Sequence, residues 1–197
     1  SPQLIASSAV LGDANPFVGD WGISKNPESF ASESYRAYFT DRQRGAVLRL
    51  SMDGLTPISD NGMHDWFRDN LKLSDTITGG FDNFKKEYNV TLPDVVEIGG
   101  VNINKQYTVS FGESTKGWIS FKSFIPENSV SSANNYYTFK DGNIWQHHIE
   151  TDGGVQHNRN TFYGDHANSH VESGLNISPE IVKSFDTLNY EGSQSRV

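Results

Sequence analysis

Two nine-residue stretches share one order of residue types, and this repetition constrains the fold more than any other feature of the sequence. Residues 39–47 (FTDRQRGAV) and residues 111–119 (FGESTKGWI) each run aromatic, any, acid, any, any, base, glycine, any, β-branched. Alternating segments precede and follow both copies, as YRAYF and AVLRLS do around the first. A polar middle between alternating segments predicts a β-hairpin, and its repetition favours a scaffold of sheet units. The pattern equates the turn residues of the two copies: Asp41 with Glu113, Arg44 with Lys116, and Gly45 with Gly117.

Further turn signals divide the rest of the chain into short strands. Residues 81–92 (FDNFKKEYNVTL) predict another hairpin, and Asp141-Gly142 is a strong two-residue turn signal between YYTFK and NIWQH. Aromatic residues at 12% of the chain and 18 glycines suit a turn-rich β protein. We count roughly eight to ten short strands. The sequence therefore predicts an all-β fold of mainly antiparallel hairpins, propeller-like or a sandwich.

One segment is typical of a helix, which we expect to be short and inserted around residues 60–72. Four large apolar residues between positions 63 and 71 are spaced so that they share one helical face. Ser59 or Asp60 can cap this helix, and Asp65 lies three residues before Arg68, a spacing that allows a weak surface pair. The predicted core combines this face with aromatic residues of later strands: Met63, Trp66, Phe67, Leu71, Trp118, Phe121, Tyr137 and Trp145.

The spacing of the two hairpin copies bears on domain organisation. They start at Phe39 and Phe111, 72 positions apart, which exceeds the roughly 40–50 residues of common propeller repeats. The inserted helix accounts for part of the excess. We expect an irregular N-terminal arm over residues 1–25 and a β-rich domain over residues 26–197, with two final strands within residues 169–177 and 181–192. This domain is expected to be a fragment of a larger propeller-like protein.

Charge and cysteine content exclude several classes of partner and site. The chain has 16 Lys and Arg against 24 Asp and Glu, a net charge of −8. Nucleic-acid binding requires a basic face that replaces counterions, so we expect no specific nucleic-acid partner. With no cysteine, the fold has neither disulfides nor thiolate metal ligands. No run of about 18 apolar residues is present, and we expect no membrane segment.

The six histidines are the remaining conventional metal ligands. His147 and His148 are adjacent in a predicted strand, so we expect them to face opposite sides. His157, His166 and His170 lie in loop-rich sequence without any compact ligand spacing. We therefore predict no metal site and no cofactor.

Two pairs of acids are candidates for glycosidase catalysts, namely Asp41 with Glu113 and Glu87 with Glu97. Such chemistry requires two carboxyl groups at a defined gap across a groove, about 5 to 9 Å, which spacing along the chain does not reveal. Each of Asp41 and Glu113 precedes a base in its hairpin turn, and local turn stabilisation is the expected role. No nucleophile elbow or phosphate-binding loop is present. We predict that the chain is not an enzyme; a polysaccharide hydrolase is the least favoured hypothesis.

Four aromatic residues are candidates for a sugar-binding platform: Trp21, Trp118, Trp145 and Tyr163. Exposed aromatic faces pack well against sugar rings, whereas aromatic residues in strands usually fill the core. A glycan-binding β domain for host recognition is therefore the alternative to a scaffold.

Long strings in the chain resemble a known family. They are NPESFASESYRAYFTDRQRGAVLRLSMDGLTPISDNGMHDWFRDNL, GWISFKSFIPENSVSSANNYYTFKDGNIWQHH, NTFYG and VKSFDTLNYEGSQS, which together cover most of residues 26–195. These strings resemble virion structural proteins of the tails of tailed phages, of the cyanophage type. Related segments occur in the nozzle or muzzle proteins of short-tailed and crAss-like phages.

The resemblance implies a non-enzymatic function in the phage virion. It implies a propeller-like β fold within a longer polypeptide that serves as a tail, nozzle or baseplate-associated building block. Its partners would be other virion proteins and copies of itself in a homo-oligomer, assembled in the cytoplasm of the bacterial host. Host glycans are the partner that the alternative, a glycan-binding β domain, would have. The family is structural, so no catalytic residue is carried over. The expected contact surfaces are residues 25–34, 151–160 and 163–173.

Overall fold

A computed structural model of the chain describes residues 16–23, 25–172 and 178–184. The chain divides into two compact units, residues 1–167 and residues 168–197. The described residues of the second unit form no helix or strand, and a turn in which Ile181 N–H donates to the Ser178 carbonyl (3.1 Å) is their one regular feature. Predicted strands within residues 169–177 and 181–192 are thus not formed where described, and their remainders lie outside the described residues. Most of the predicted arm, residues 1–15 and 24, lies outside them too.

The first sheet is a meander of four antiparallel strands in sequence order. A short 3-10 helix, Pro27–Ser29, precedes it, and a second one, Ile58–Asp60, follows it and leads into the one α-helix of the described residues. The elements are β1 (Ala31–Glu33), β2 (Arg36–Asp41), β3 (Ala46–Ser51), β4 (Gly54–Pro57) and α1 (His64–Leu71).

A second four-stranded sheet follows, with strand order β10-β9-β6-β5. Its strands are β5 (Thr78–Asp82), β6 (Glu87–Leu92), β9 (Tyr107–Gly112) and β10 (Gly117–Lys122), and a separate hairpin of β7 (Val96–Ile98) and β8 (Val101–Asn104) is inserted between β6 and β9. The third sheet contains β11 (Asn128–Ser132), β12 (Asn135–Lys140) and β13 (Asn143–Gln146). Two small hairpins complete the fold: β14 (Thr151–Asp152) with β15 (Val155–Gln156), and β16 (Thr161–Phe162) with β17 (Asp165–His166).

The predicted fold class is confirmed at the level of mainly antiparallel β-structure with one short helix. The described residues form several small sheets and no closed barrel or propeller. The hairpin predicted at Asp141-Gly142 is present, with Lys140 paired to Asn143 and both turn residues at positive φ, 51° and 74°. This matches the mirror-image two-residue turn whose twist suits a hairpin.

Three hairpins of the two large sheets share one loop length. In each of the hairpins β2–β3, β5–β6 and β9–β10, four loop residues lie between the two paired residues that close the hairpin. The fourth loop residue has a left-handed conformation each time: Gly45 (φ 67°), Lys86 (58°) and Lys116 (49°). By geometry the counterpart of Gly45 is therefore Lys116, whereas the sequence pattern equates it with Gly117, which begins β10.

This shift of one residue separates the functions of the two equated acids. Asp41 ends β2 and accepts hydrogen bonds from Arg44 N–H and from the Arg44 guanidinium, both at 3.1 Å, so the predicted turn-stabilising role is confirmed there. Glu113 is the first loop residue after β9, and its carboxylate binds arginines of the first sheet. The matching prediction for Glu113 with Lys116 is wrong, because sequence spacing does not reveal which way a loop side chain points.

Helix α1 packs its predicted face inward. Phe67 and Leu71 are fully buried, while Met63 and Trp66 are partly buried against the core. Met63 occupies the N-cap position, and no side chain caps the helix, so the cap predicted at Ser59 or Asp60 is absent; residues 58–60 form the preceding 3-10 helix instead. The surface pair expected between Asp65 and Arg68 is present at 2.7 Å.

The predicted core residues of the later strands differ in burial. Trp118 packs on Phe67 at 4.4 Å between ring centroids and donates its indole N–H to the Ile58 carbonyl (3.0 Å). Tyr137 and Trp145 are half-buried. Phe121 is a correction: it is 53% exposed although its ring contacts Trp66 and Tyr107, because β10 is the edge strand of its sheet. The most buried aromatic residues are Phe67, which was among the predicted core residues, and four that were not: Tyr38, Tyr88, Tyr136 and Phe111.

Strand β5 is packed closely on both faces, and two consecutive glycines make this possible. A Cβ on Gly79 would overlap the backbone carbonyl of Ser29 in the first 3-10 helix. A Cβ on Gly80 would overlap the hydroxyl of Ser129 in β11. The Gly-Gly pair therefore allows the second sheet to contact the chain before β1 on one side and the third sheet on the other.

Candidate functional site

An open cleft of about 580 Å³ lies where the third sheet meets the two small hairpins. The end of β13, both small hairpins and the connections between them form its walls. Its lining is aromatic and polar, and it includes the buried His147 and the amide side chains of three exposed residues, Gln146, Gln156 and Asn158. The lining residues are Ile144, Trp145, Gln146, His147, His148, Ile149, Asp152, Gln156, His157, Asn158, Thr161, Phe162, Tyr163 and Gly164.

Trp145 and Tyr163 form the aromatic wall of this cleft. Their ring centroids are 5.4 Å apart and the ring planes meet at 68°, an edge-to-face contact. Tyr163 occupies the first position of the β16–β17 turn with φ 56°, which directs its ring toward β13. Of the four aromatic residues that were candidates for a sugar platform, the structure brings together these two. Trp118 is packed in the core instead, and Trp21 lies ahead of the first sheet.

A chain of hydrogen bonds connects the cleft wall to a buried histidine. Tyr163 O–H donates to Thr138 Oγ1 at 2.9 Å, and Thr138 Oγ1 lies 2.8 Å from His147 Nε2. Because Thr138 Oγ1 accepts from Tyr163, its own hydroxyl hydrogen is available to donate to His147. This arrangement requires His147 Nε2 to be unprotonated. Burial, together with the neighbouring His148, lowers the pKa of His147 to about 4. His147 is therefore neutral near pH 7 and serves as an acceptor.

The other histidine of the pair turns to a different partner. His148 Nε2 lies 2.6 Å from Asp82 Oδ2, and its ring stacks on Phe84 with centroids 5.0 Å apart. The prediction that His147 and His148 lie in a strand is wrong, since β13 ends at Gln146. His148 is left-handed, with φ 64°, and the two rings end up 6.0 Å apart.

Asp82 has two structural contacts besides His148. Its Oδ1 accepts the backbone N–H groups of Phe84 and Lys85, at 2.9 and 3.1 Å, and so closes the β5–β6 turn. Burial alone would raise the pKa of Asp82, but the hydrogen bonds from His148 and these N–H groups outweigh it and the pKa is lowered. The carboxylate therefore connects the second sheet to the segment that follows β13.

Among the residues that the structure describes, no three His, Cys, Asp or Glu side chains are grouped so that they could hold a metal ion. The remaining histidines are dispersed. His64 faces Asp65 on α1, His157 lines the cleft, His166 is on β17 and His170 is in the second unit.

The acids considered as catalysts each have a different environment. The Glu113 carboxylate accepts hydrogen bonds from Nε and Nη2 of Arg49, at 2.8 and 3.2 Å, and from the Tyr38 hydroxyl at 2.5 Å. It also forms an ion pair with Arg36 Nε at 3.2 Å. Burial alone would raise its pKa, but the hydrogen bonds from Arg49 and Tyr38 outweigh it and the pKa is lowered. Glu87 pairs with Lys122 at 2.8 Å, and Glu97 is exposed on β7.

Sequence reasoning missed both the Glu113 ion pairs and the Tyr163–Thr138–His147 chain. Each joins residues from separate elements, and no local spacing encodes either one. Alternation offers one partial signal, because it places Tyr136 and Thr138 on the same face of β12, and both prove to be buried.

No protein-family model matches this chain, and it matches no curated protein. Within the described residues, no helix has the length and apolar character needed to cross a membrane.

Proposed function

We propose that this chain is a structural component of a phage virion, in the tail, nozzle or baseplate region, and acts through protein–protein contacts. The similarity of its long sequence strings to tail proteins supports this function. The supporting structural observation is an exposed apolar hairpin formed by β7 and β8.

This hairpin is inserted between two strands of the second sheet but hydrogen-bonds with neither of them. Four large apolar side chains in and beside it are about half to two-thirds exposed: Val95, Ile98, Val101 and Ile103. Grouped exposed apolar residues favour association with another protein. We assign the hairpin as a contact with a neighbouring copy of this chain in the assembled tail.

The contact surfaces expected from sequence differ in their suitability. Residues 25–34 contain Asn26, Ser29 and Ala31, which are buried against the first and second sheets, so that segment holds the fold together. Residues 151–160 are almost entirely exposed and remain a candidate surface. Part of 163–173 lies in the second unit, and its last residue is outside the described residues.

Mass spectrometry of purified particles from the phage that encodes the chain tests the proposal directly. Peptides of this chain should be present at a fixed ratio to the other tail proteins. Their absence from intact particles would exclude a virion function.

A variant pair tests the contact hairpin. Ile98→Glu places a charge on the exposed hairpin, whereas Met52→Glu does so at an exposed residue of the β3–β4 turn. We expect Ile98→Glu to lower the yield of complete particles at least tenfold and Met52→Glu to leave it unchanged. Equal yields from both variants would show that the hairpin is not the contact.

A further inference from the structure

We propose that the cleft lined by Trp145 and Tyr163 binds a neutral carbohydrate, with a sugar ring packed against the aromatic wall. This ligand-binding function is separate from assembly and does not depend on the proposed structural function. It rests on the shape, residue chemistry and charge of the cleft.

The shape of the cleft suits a small polar molecule. Its volume of about 580 Å³ lies within the ~300–1,000 Å³ of typical small-molecule sites. The cleft is open to solvent along one side, where the rim is formed by exposed residues of β13 and the small hairpins. A ligand can therefore enter without a change in the sheets.

The side chains at the wall and rim provide the two kinds of contact that a sugar needs. The rings of Trp145 and Tyr163 offer apolar surface for the C–H face of a pyranose. Around them lie Gln156 and Asn158, exposed amide side chains that can both donate to and accept from hydroxyl groups. Neither amide has a hydrogen-bond partner among the described residues, so each is free to bind a ligand hydroxyl.

The charge of the cleft favours a neutral ligand. Asp152 is the one carboxylate in the lining, which contains no lysine or arginine. Arg159, next to the lining, pairs with Glu150 at 3.8 Å. A phosphate, a sialic acid or a uronic acid would find no lysine or arginine in the lining, and a cationic ligand would meet a single exposed carboxylate. Apolar rings, neutral amides and the lack of a lysine or arginine together point to uncharged sugars.

Thr138 of β12 positions both residues of the aromatic wall. Tyr163 is anchored by its hydroxyl to Thr138, and Trp145 is paired with Thr138 across β12 and β13. The wall is therefore set in place before a ligand arrives, and little ordering cost is expected on binding.

Binding of the purified chain to a glycan array that contains neutral, sialylated and uronic-acid oligosaccharides tests the proposal. The strongest neutral oligosaccharide is then titrated by calorimetry against wild type and two adjacent variants. Gln156→Ala removes a lining amide, and Val155→Ala changes its neighbour on β15, which is exposed but points away from the lining. Gln146→Ala, on exposed β13, provides a second lining variant if Gln156→Ala perturbs the fold.

We expect neutral glycans to be bound in preference to the acidic ones. Gln156→Ala and Gln146→Ala should each weaken binding about threefold to tenfold, as expected for the loss of one hydrogen bond, and Val155→Ala should leave it unchanged. Three results would overturn the proposal: no neutral glycan bound, acidic glycans preferred, or equal weakening by Val155→Ala and the lining variants. Because the experiment uses the isolated chain, its failure would leave the presence of the chain in virions unaffected.

Discussion

Glu113 and Arg49, which are 64 residues apart, form a two-point ion pair that joins the first sheet to the second. Arg49 Nε lies 2.8 Å from Oε1 and Nη2 lies 3.2 Å from Oε2. Tyr38, which is fully buried in the first sheet, donates to the same carboxylate and stacks on Tyr88 of the second sheet. The contact between the sheets thus combines a charged pair with an aromatic stack.

Replacing Glu113 should destabilise the fold strongly. Glu113→Gln removes the charge that neutralises Arg49 and leaves the guanidinium half-buried without a counterion. We expect the free energy of unfolding to fall by about 2–3 kcal/mol, measured by urea denaturation. Glu97→Gln, at an exposed glutamate of β7, is the matched control and should change it by less than about 0.5 kcal/mol. Similar losses for the two variants would contradict the structural role of the pair.

Acid should weaken the fold through His147 before it affects the buried carboxylates. The pKa of His147 is lowered to about 4 in the folded chain from about 6.5 in an unfolded one. Folding therefore favours the neutral form of His147. Above pH 6.5 His147 is neutral in both states and the fold has its full stability, and this stability is lost as the pH falls toward 4 because the unfolded chain takes up the proton more readily. Between pH 7 and 4.5 we expect a loss of about 2–3 kcal/mol.

The variant His147→Gln isolates this effect. Glutamine cannot take up a proton but can accept the hydrogen bond from Thr138, so the variant should lack the loss between pH 7 and 4.5. Urea denaturation at several pH values measures both proteins. The pKa values of Asp82 and Glu113 are also lowered, so the stability from these carboxylates should be lost as the pH falls below their unfolded values of 3.8 and 4.5 and on through the lower folded values. A wild type and variant with parallel pH profiles would exclude His147 as the cause.

Gly79→Ala should be among the most damaging single substitutions. The new methyl group would overlap the Ser29 carbonyl, which is held in place by the Tyr88 hydroxyl at 2.5 Å. We expect a loss of about 3 kcal/mol, measured by thermal and urea unfolding. Gly22→Ala, where no atom would approach the added methyl within 4 Å, is the control.

The adjacent Gly80→Ala should be rescued by a second change. Its methyl group would overlap the Ser129 hydroxyl, so we expect destabilisation that Ser129→Gly partly restores in the double variant. Additive losses in the double variant would show that the two residues are not in close contact.

Two lysines in left-handed turn conformations offer sites for stabilisation. Lys86 (φ 58°) and Lys116 (φ 49°) occupy the turn position that Gly45 fills in the first hairpin. Glycine adopts this conformation without the strain of a side chain, so Lys86→Gly and Lys116→Gly should each raise the free energy of unfolding by up to about 1 kcal/mol. Lys85→Gly, one residue before Lys86 in the same turn, should not raise the free energy of unfolding. Destabilisation by both turn glycines would show that these lysines have contacts that outweigh the strain.

Features that depend on neighbouring residues were predicted well from the sequence. The Asp141-Gly142 hairpin, the hairpin between β5 and β6, and the apolar face of α1 are all present. Each is set by turn preference or periodicity over a few residues, and these are local properties of the chain. The sequence likewise determined that the chain has neither disulfides nor thiolate metal ligands, since it contains no cysteine.

Tertiary structure decided what the side chains of these elements do. The two sequence copies match in residue type but are displaced by one position in the turn, so Asp41 closes its own loop while Glu113 reaches Arg49. Likewise, Thr138, His147 and Tyr163 meet only because the third sheet packs beside the last hairpin. Local propensity fixes turns and strands, whereas the partners of a polar side chain depend on which distant elements are packed against it.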